Sequence, residues 1–159
     1  PLHAGHQMTE VFSGTDRAGQ LAFVKRPDGQ VTDLHQFWDE TLDTSGLRLP
    51  AGQDSWADVL IAIWPRERLT RELSREGEPQ AVFDSFLDES AELARLVGYQ
   101  GTFLRATADP ATAPMVTPAE QAQGIALAQR RIATGGYRIA DLLARAIKEA
   151  KAATWTCPV

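Results

Sequence analysis

All three histidines of this chain, His3, His6 and His35, lie in its first 35 residues. Histidine chemistry therefore belongs to the N-terminal quarter. His35 and Asp39 stand four apart in a stretch with helical spacing, which puts an imidazole and a carboxylate on one face. Both groups are ordinary zinc ligands, and this spacing can aim both at one ion. His3 precedes them in a stretch that reads as loop and can approach from another direction. His3, His35 and Asp39 thus form a candidate three-ligand site with a position left for water or substrate, as catalytic zinc requires. Taken alone, the His35–Asp39 pair also fits a surface ion pair or a capped core histidine. His6 reads as a loop histidine near the site or as an extra ligand. Asp16 reads as a turn residue or as a group that orients a ligand histidine from behind.

The elements that would position these residues are mostly helical. Residues 1–20 read as loop, punctuated by Gly5, Gly14 and Gly19. Leu21–Lys25 and Gln30–Thr32 read as two short strands. The turn Arg26-Pro27-Asp28-Gly29 joins them, with proline at its first central position. Asp33 is placed to cap a helix carrying Leu34, Phe37, Trp38 and Leu42 and ending at Gly46. Asp54 could cap a second helix, in which Trp56 and Trp64 share a buried face until Pro65 breaks it. Pro79 opens a third helix through about Val97, with Val82, Phe83, Phe86, Leu87, Leu93 and Ala94 on one side. Residues 105–116 read as loop. Thr117-Pro118-Ala119-Glu120 is a capping-box helix start. Gly135-Gly136 could interrupt that helix or allow close packing before Tyr137–Lys151 continues with Ile139, Leu142, Leu143 and Ile147. The predicted class is mainly α with one short β-hairpin.

The 159 residues suit one domain with a single core, and the 43% hydrophobic content fits a globular chain. No apolar run reaches the roughly 18 residues a membrane span needs. The net charge of −5 argues against a broad basic footprint on a phosphate backbone. Bound metal charge could take over that task. Arg17, Lys25 and Arg26 read as exposed hairpin charges or as phosphate contacts. The single cysteine, Cys157, reads as a tail residue or as half of a disulfide with a partner outside the chain.

Three blocks together resemble the zinc-dependent S1/P1 nuclease family. They are Pro1-Leu2-His3-Ala4-Gly5-His6, Asp16-Arg17-Ala18-Gly19-Gln20 and Asp33-Leu34-His35-Gln36-Phe37-Trp38-Asp39. The family has a proline–hydrophobic–histidine motif, an aspartate with a Gly-Gly-Asn segment leading into a hairpin, and an Asn-Leu-His-x-x-Trp-Asp helix start. Phe86–Tyr99 and Gly136–Leu143 are similar to later helices of the family.

The resemblance implies a largely helical phospholipase C/P1 nuclease-like fold with three clustered zinc ions. In it His3, His35 and Asp39 match the ligands of one zinc. The ligands of the other two lie upstream of the proline–hydrophobic–histidine motif, so residues 1–159 are expected to be the C-terminal portion of a single family domain. Such a portion would expose apolar surface that the remainder covers. No catalytic residue beyond the zinc ligands is expected in this chain. Ala18, Gly19 and Gln20 match the segment that holds a nucleobase, with Ala18 and Gln20 departing from Gly and Asn. The implied reaction is hydrolysis of single-stranded DNA and RNA, with 5′-phosphate products and 3′-nucleotidase activity, in a secreted or periplasmic enzyme without a membrane span. The alternatives are a phospholipase C-like phosphodiesterase, a branch that carries Glu where Asp39 stands, and a non-catalytic chain that binds at most one zinc.

Overall fold

The computed structural model describes residues 15–42, 51–52, 55–73 and 77–152. The expectations for His3, His6, Asp54 and Cys157, and for a helix end at Gly46, lie outside these residues. The described chain is mainly helical with one two-stranded antiparallel sheet. It divides into two units, one of residues 15–42 and 77–128, the other of residues 51–73 and 129–152.

In the first unit β1 (Phe23–Lys25) pairs with β2 (Val31–Asp33), Val24 opposite Thr32. The turn behaves as its sequence predicts. The Gly29 N–H donates to the Arg26 carbonyl at 2.8 Å, and Gly29 takes φ +91°, a left-handed value that glycine adopts without a Cβ penalty. Both strands are shorter than expected, and Leu21 lies outside β1 in a partly exposed turn. The other edge of β1 is covered by the 105–116 segment. Phe23 exchanges backbone hydrogen bonds with Thr107, the Lys25 N–H donates to the Pro114 carbonyl, and the Val116 N–H donates to the Lys25 carbonyl. A short hairpin that would be marginal alone is thus held on both sides.

Helix α1 (Leu34–Asp39) follows β2 without a linker. It is shorter than the apolar spacing suggests. The Thr41 hydroxyl donates to the Phe37 carbonyl at 2.6 Å, taking the acceptor that a continuing helix would offer to the Thr41 N–H. Helix α4 (Pro79–Leu93) passes into a π-helical turn, Ala94–Gly98. Its expected apolar side is only partly inward, since Phe83 and Leu87 are about half exposed. Ala22, Val24, Leu34, Phe37, Tyr99, Phe103, Ala106 and Val116 form the core of this unit.

The second unit contains α2 (Trp56–Ile63), the short α3 (Thr70–Leu73) and the latter part of α5 (Pro118–Ala152). Ser55 caps α2, accepting from the Asp58 N–H. Trp56 and Trp64 do not share a helix face. Trp64 leaves the helix with ψ 64°, because a residue before proline avoids the helical region. Trp64 packs against Leu60, Leu69 and Ala133, whereas Trp56 is 37% exposed. Helix α5 passes Gly135-Gly136 unbroken, and a Cβ at either position would meet nothing within 4 Å. The glycines serve neither as a break nor for close packing. Ile139, Leu142, Leu143 and Ile147 on α5 are all more than half exposed.

Candidate functional site

The candidate site begins where β2 becomes α1. Asp33 is the last strand residue and also the helix cap, its carboxylate accepting from the Gln36 N–H at 2.8 Å. His35 stands two residues on, so the hairpin sets its place directly. Leu34 and Phe37 point into the core. Phe37 meets Trp38 edge-on at 5.4 Å between centroids, and both rings contact Phe103 at 5.1 Å. With one side of α1 fixed this way, His35 and Asp39 occupy the other. Their side chains are 30% and 50% exposed, and His35 Nε2 lies 3.2 Å from Asp39 Oδ2.

Two ligand atoms about 2.0–2.1 Å from one tetrahedral ion lie roughly 3.3 Å apart. The observed separation fits a shared ion, and it also fits a direct hydrogen bond. The other ring nitrogen separates the protonation states. Nδ1 faces the Ala18 carbonyl at 3.4 Å. A carbonyl oxygen only accepts, so Nδ1 is the nitrogen that carries hydrogen there, and a neutral ring then presents its Nε2 lone pair to the carboxylate. Two acceptors face each other, and a cation between them resolves the conflict, whether a second proton on the ring or a metal ion. Ligand histidines characteristically donate their second N–H to a carbonyl in this manner. The residues present therefore fit a metal ion. Among the described residues no third histidine, cysteine or carboxylate completes a cluster. His3 is outside them.

Ala18 belongs to an unusual turn. Arg17, Ala18 and Gly19 have φ of +53°, +57° and +90°, three successive left-handed residues. The Leu21 N–H donates to the Asp16 carbonyl at 3.0 Å and closes the turn. The turn packs on the start of α1, where the Gly19 carbonyl accepts from the Leu34 N–H at 3.1 Å. A Cβ on Gly19 would sit 2.9 Å from the His35 backbone nitrogen, so only glycine permits this approach. Ala18 is half-buried, and the Gln20 side chain is exposed beside the turn.

Asp16 is fully buried, more than a surface turn residue would be. Its neighbour is Tyr99, a residue that sequence reasoning did not single out. Burial, followed by the Asp16 charge and contact with it, pushes the Tyr99 hydroxyl well above its ordinary range. Arg26 corrects another expectation. It is buried rather than exposed on the hairpin, pairs with Glu40 at 3.1 Å and lies over the Phe37 ring at 5.2 Å. Its aliphatic stem and planar head let it serve the core as well as the ion pair. Arg17 is exposed and Lys25 half-buried.

The family model described as S1/P1 Nuclease matches residues 1–148. No curated protein and no solved structure matches the chain. No helix among the described residues is long and apolar enough to cross a membrane.

Proposed function

The chain belongs to the S1/P1 nuclease family, whose reaction is phosphodiester hydrolysis, and from that premise we propose that it supplies one zinc site to a nuclease acting on single-stranded DNA and RNA. His3, His35 and Asp39 are the proposed ligands. The observation that carries this reading is the facing of His35 Nε2 and Asp39 Oδ2 at 3.2 Å, with the Ala18 carbonyl behind the ring. A zinc ion held there supplies positive charge for phosphate oxygens and acidifies a water molecule.

The roles of the chain's own residues follow from chemistry. His35 is held in the Nδ1–H tautomer by Ala18, which frees Nε2 to bind. Asp39 adds a negative oxygen donor on the same side. Ala18, Gly19 and Gln20 offer backbone groups and one exposed amide next to the ligands, suited to a nucleobase. Gln20 is one methylene longer than the family's Asn, so its amide reaches a different depth. Asp16, buried behind the turn, is proposed to accept the second ring N–H of a ligand histidine. The same centre would remove the phosphate of a 3′-nucleotide, and the setting is proposed to be secreted or periplasmic.

Substituting His35 by Ala tests the reading. Zinc content should fall by about one ion per chain, and hydrolysis of single-stranded DNA should fall by two orders of magnitude or more. Full zinc content with unchanged hydrolysis would overturn it.

A further inference from the structure

The buried Asp16–Tyr99 pair lies outside the ligand set, yet it connects to it through named contacts. An ionised carboxylate is costly to bury unless hydrogen bonds or opposite charge compensate it. Asp16 is 0% exposed and Tyr99 3%. Apart from the Tyr99 hydroxyl, no described residue donates to either oxygen of Asp16. A carboxylate has room for about four hydrogen bonds, so this one retains acceptor capacity where the left-handed turn begins.

The geometry points to Tyr99 as a positioning residue of the proposed metal centre, acting through Asp16 and the 17–19 turn on His35. This rests on the reading of His35 as a ligand. Left-handed backbone costs a residue with a Cβ about 1–2 kcal/mol, and Arg17 and Ala18 both adopt it. Such backbone persists where its surroundings over-determine it. Asp16 provides that restraint at the start of the turn, through its carbonyl bond to the Leu21 N–H and its anchored side chain. The Gly19 carbonyl bond to the Leu34 N–H provides it at the end. Between them the Ala18 carbonyl faces His35 Nδ1. Tyr99 is itself set by an uncommon feature. The π-helical turn at Ala94–Gly98 closes with the Tyr99 N–H donating to the Ala94 carbonyl, five residues back. That extra residue per turn sets the direction in which the Tyr99 side chain leaves the helix.

Tyr99→Phe removes only the hydroxyl and keeps the ring in the core. Its zinc affinity, measured by chelator competition on the full chain, should fall about tenfold, as for loss of other outer partners of metal ligands. The visible spectrum of the cobalt-loaded chain should shift, while the melting temperature stays close to that of the wild type. Unchanged affinity and an unchanged cobalt spectrum would overturn the inference, whatever happens to the melting temperature. If Tyr99→Phe does not fold, Asp16→Asn is read by the same two criteria. His35→Ala separates the two levels of argument. Loss of zinc in His35→Ala with a silent Tyr99→Phe defeats the positioning role alone. A wild-type chain that binds no zinc, or a His35→Ala chain that binds it as tightly as wild type, defeats the metal reading and the inference with it.

Discussion

Ala18 and Gly19 show how much of this site depends on backbone sign. Ala18 holds φ +57° where the related motif has glycine. Ala18→Gly removes the Cβ penalty but gives the unfolded chain more freedom, a loss of roughly 0.4–1 kcal/mol. With a left-handed alanine costing about 1–2 kcal/mol, the balance is a net stabilisation of about 1 kcal/mol, measurable by urea denaturation. Gly19→Ala has the opposite sign. Its Cβ would press on the His35 nitrogen and on Leu34 Cβ, so destabilisation of about 2 kcal/mol and weakened zinc binding are expected. Unchanged stability of Gly19→Ala would show that the turn can move away from α1. The sequence suggested ligands and a neighbouring turn. It held no signal for the three consecutive positive φ values, because neither arginine nor alanine favours them and the restraint comes from residues far along the chain.

At the scale of elements, capping chemistry was the most legible. Asp33 and the Thr117–Glu120 box behave as their side chains require: the Thr117 hydroxyl accepts from the Glu120 N–H, and the Glu120 carboxylate accepts from the Thr117 N–H. Glu120 also accepts from the Thr102 N–H at 2.8 Å, tying α5 to the preceding loop, a contact the local pattern could not reveal. Partial burial alone would push its carboxyl up, but the hydrogen bonds from Thr102 and Thr117 outweigh it and hold the pKa at about 2. A lowered folded-state value contributes stability that is complete above the ordinary value of 4.5 and is lost as pH falls towards about 2. Glu120→Gln should lower stability at pH 7 and flatten its pH dependence between those limits. An unaltered acid-unfolding profile would contradict the assignment. Helix α5 offers a second test. Gly135→Ala and Gly136→Ala should each stabilise by about 0.5–1 kcal/mol, since both positions are helical and open. Helix ends were less legible where a side chain competed for a backbone group, as Thr41 does at the end of α1. The burial of Arg26 was hidden for a related reason: its partners Glu40 and Phe37 come from a different element.

At the scale of the whole molecule, an acidic chain is assigned work on a polyanion, and the assignment holds only if the charge that meets phosphate comes from bound metal. The mainly helical class, the single hairpin and the family were all readable from three short blocks. The blocks were readable because metal ligation and tight backbone contact restrict residue types more severely than packing does. The side-chain geometry around His35 was not readable, since it depends on Ala18 and on a core built from residues as distant as Val116. The most direct test is diffraction from crystals of the zinc-loaded protein, with anomalous data collected at the zinc edge. A peak about 2.0–2.1 Å from His35 Nε2, and at a similar distance from an Asp39 oxygen, is predicted. A site without such a peak in excess zinc, with Nε2 still 3.2 Å from Oδ2 as in the metal-free geometry, would contradict the account.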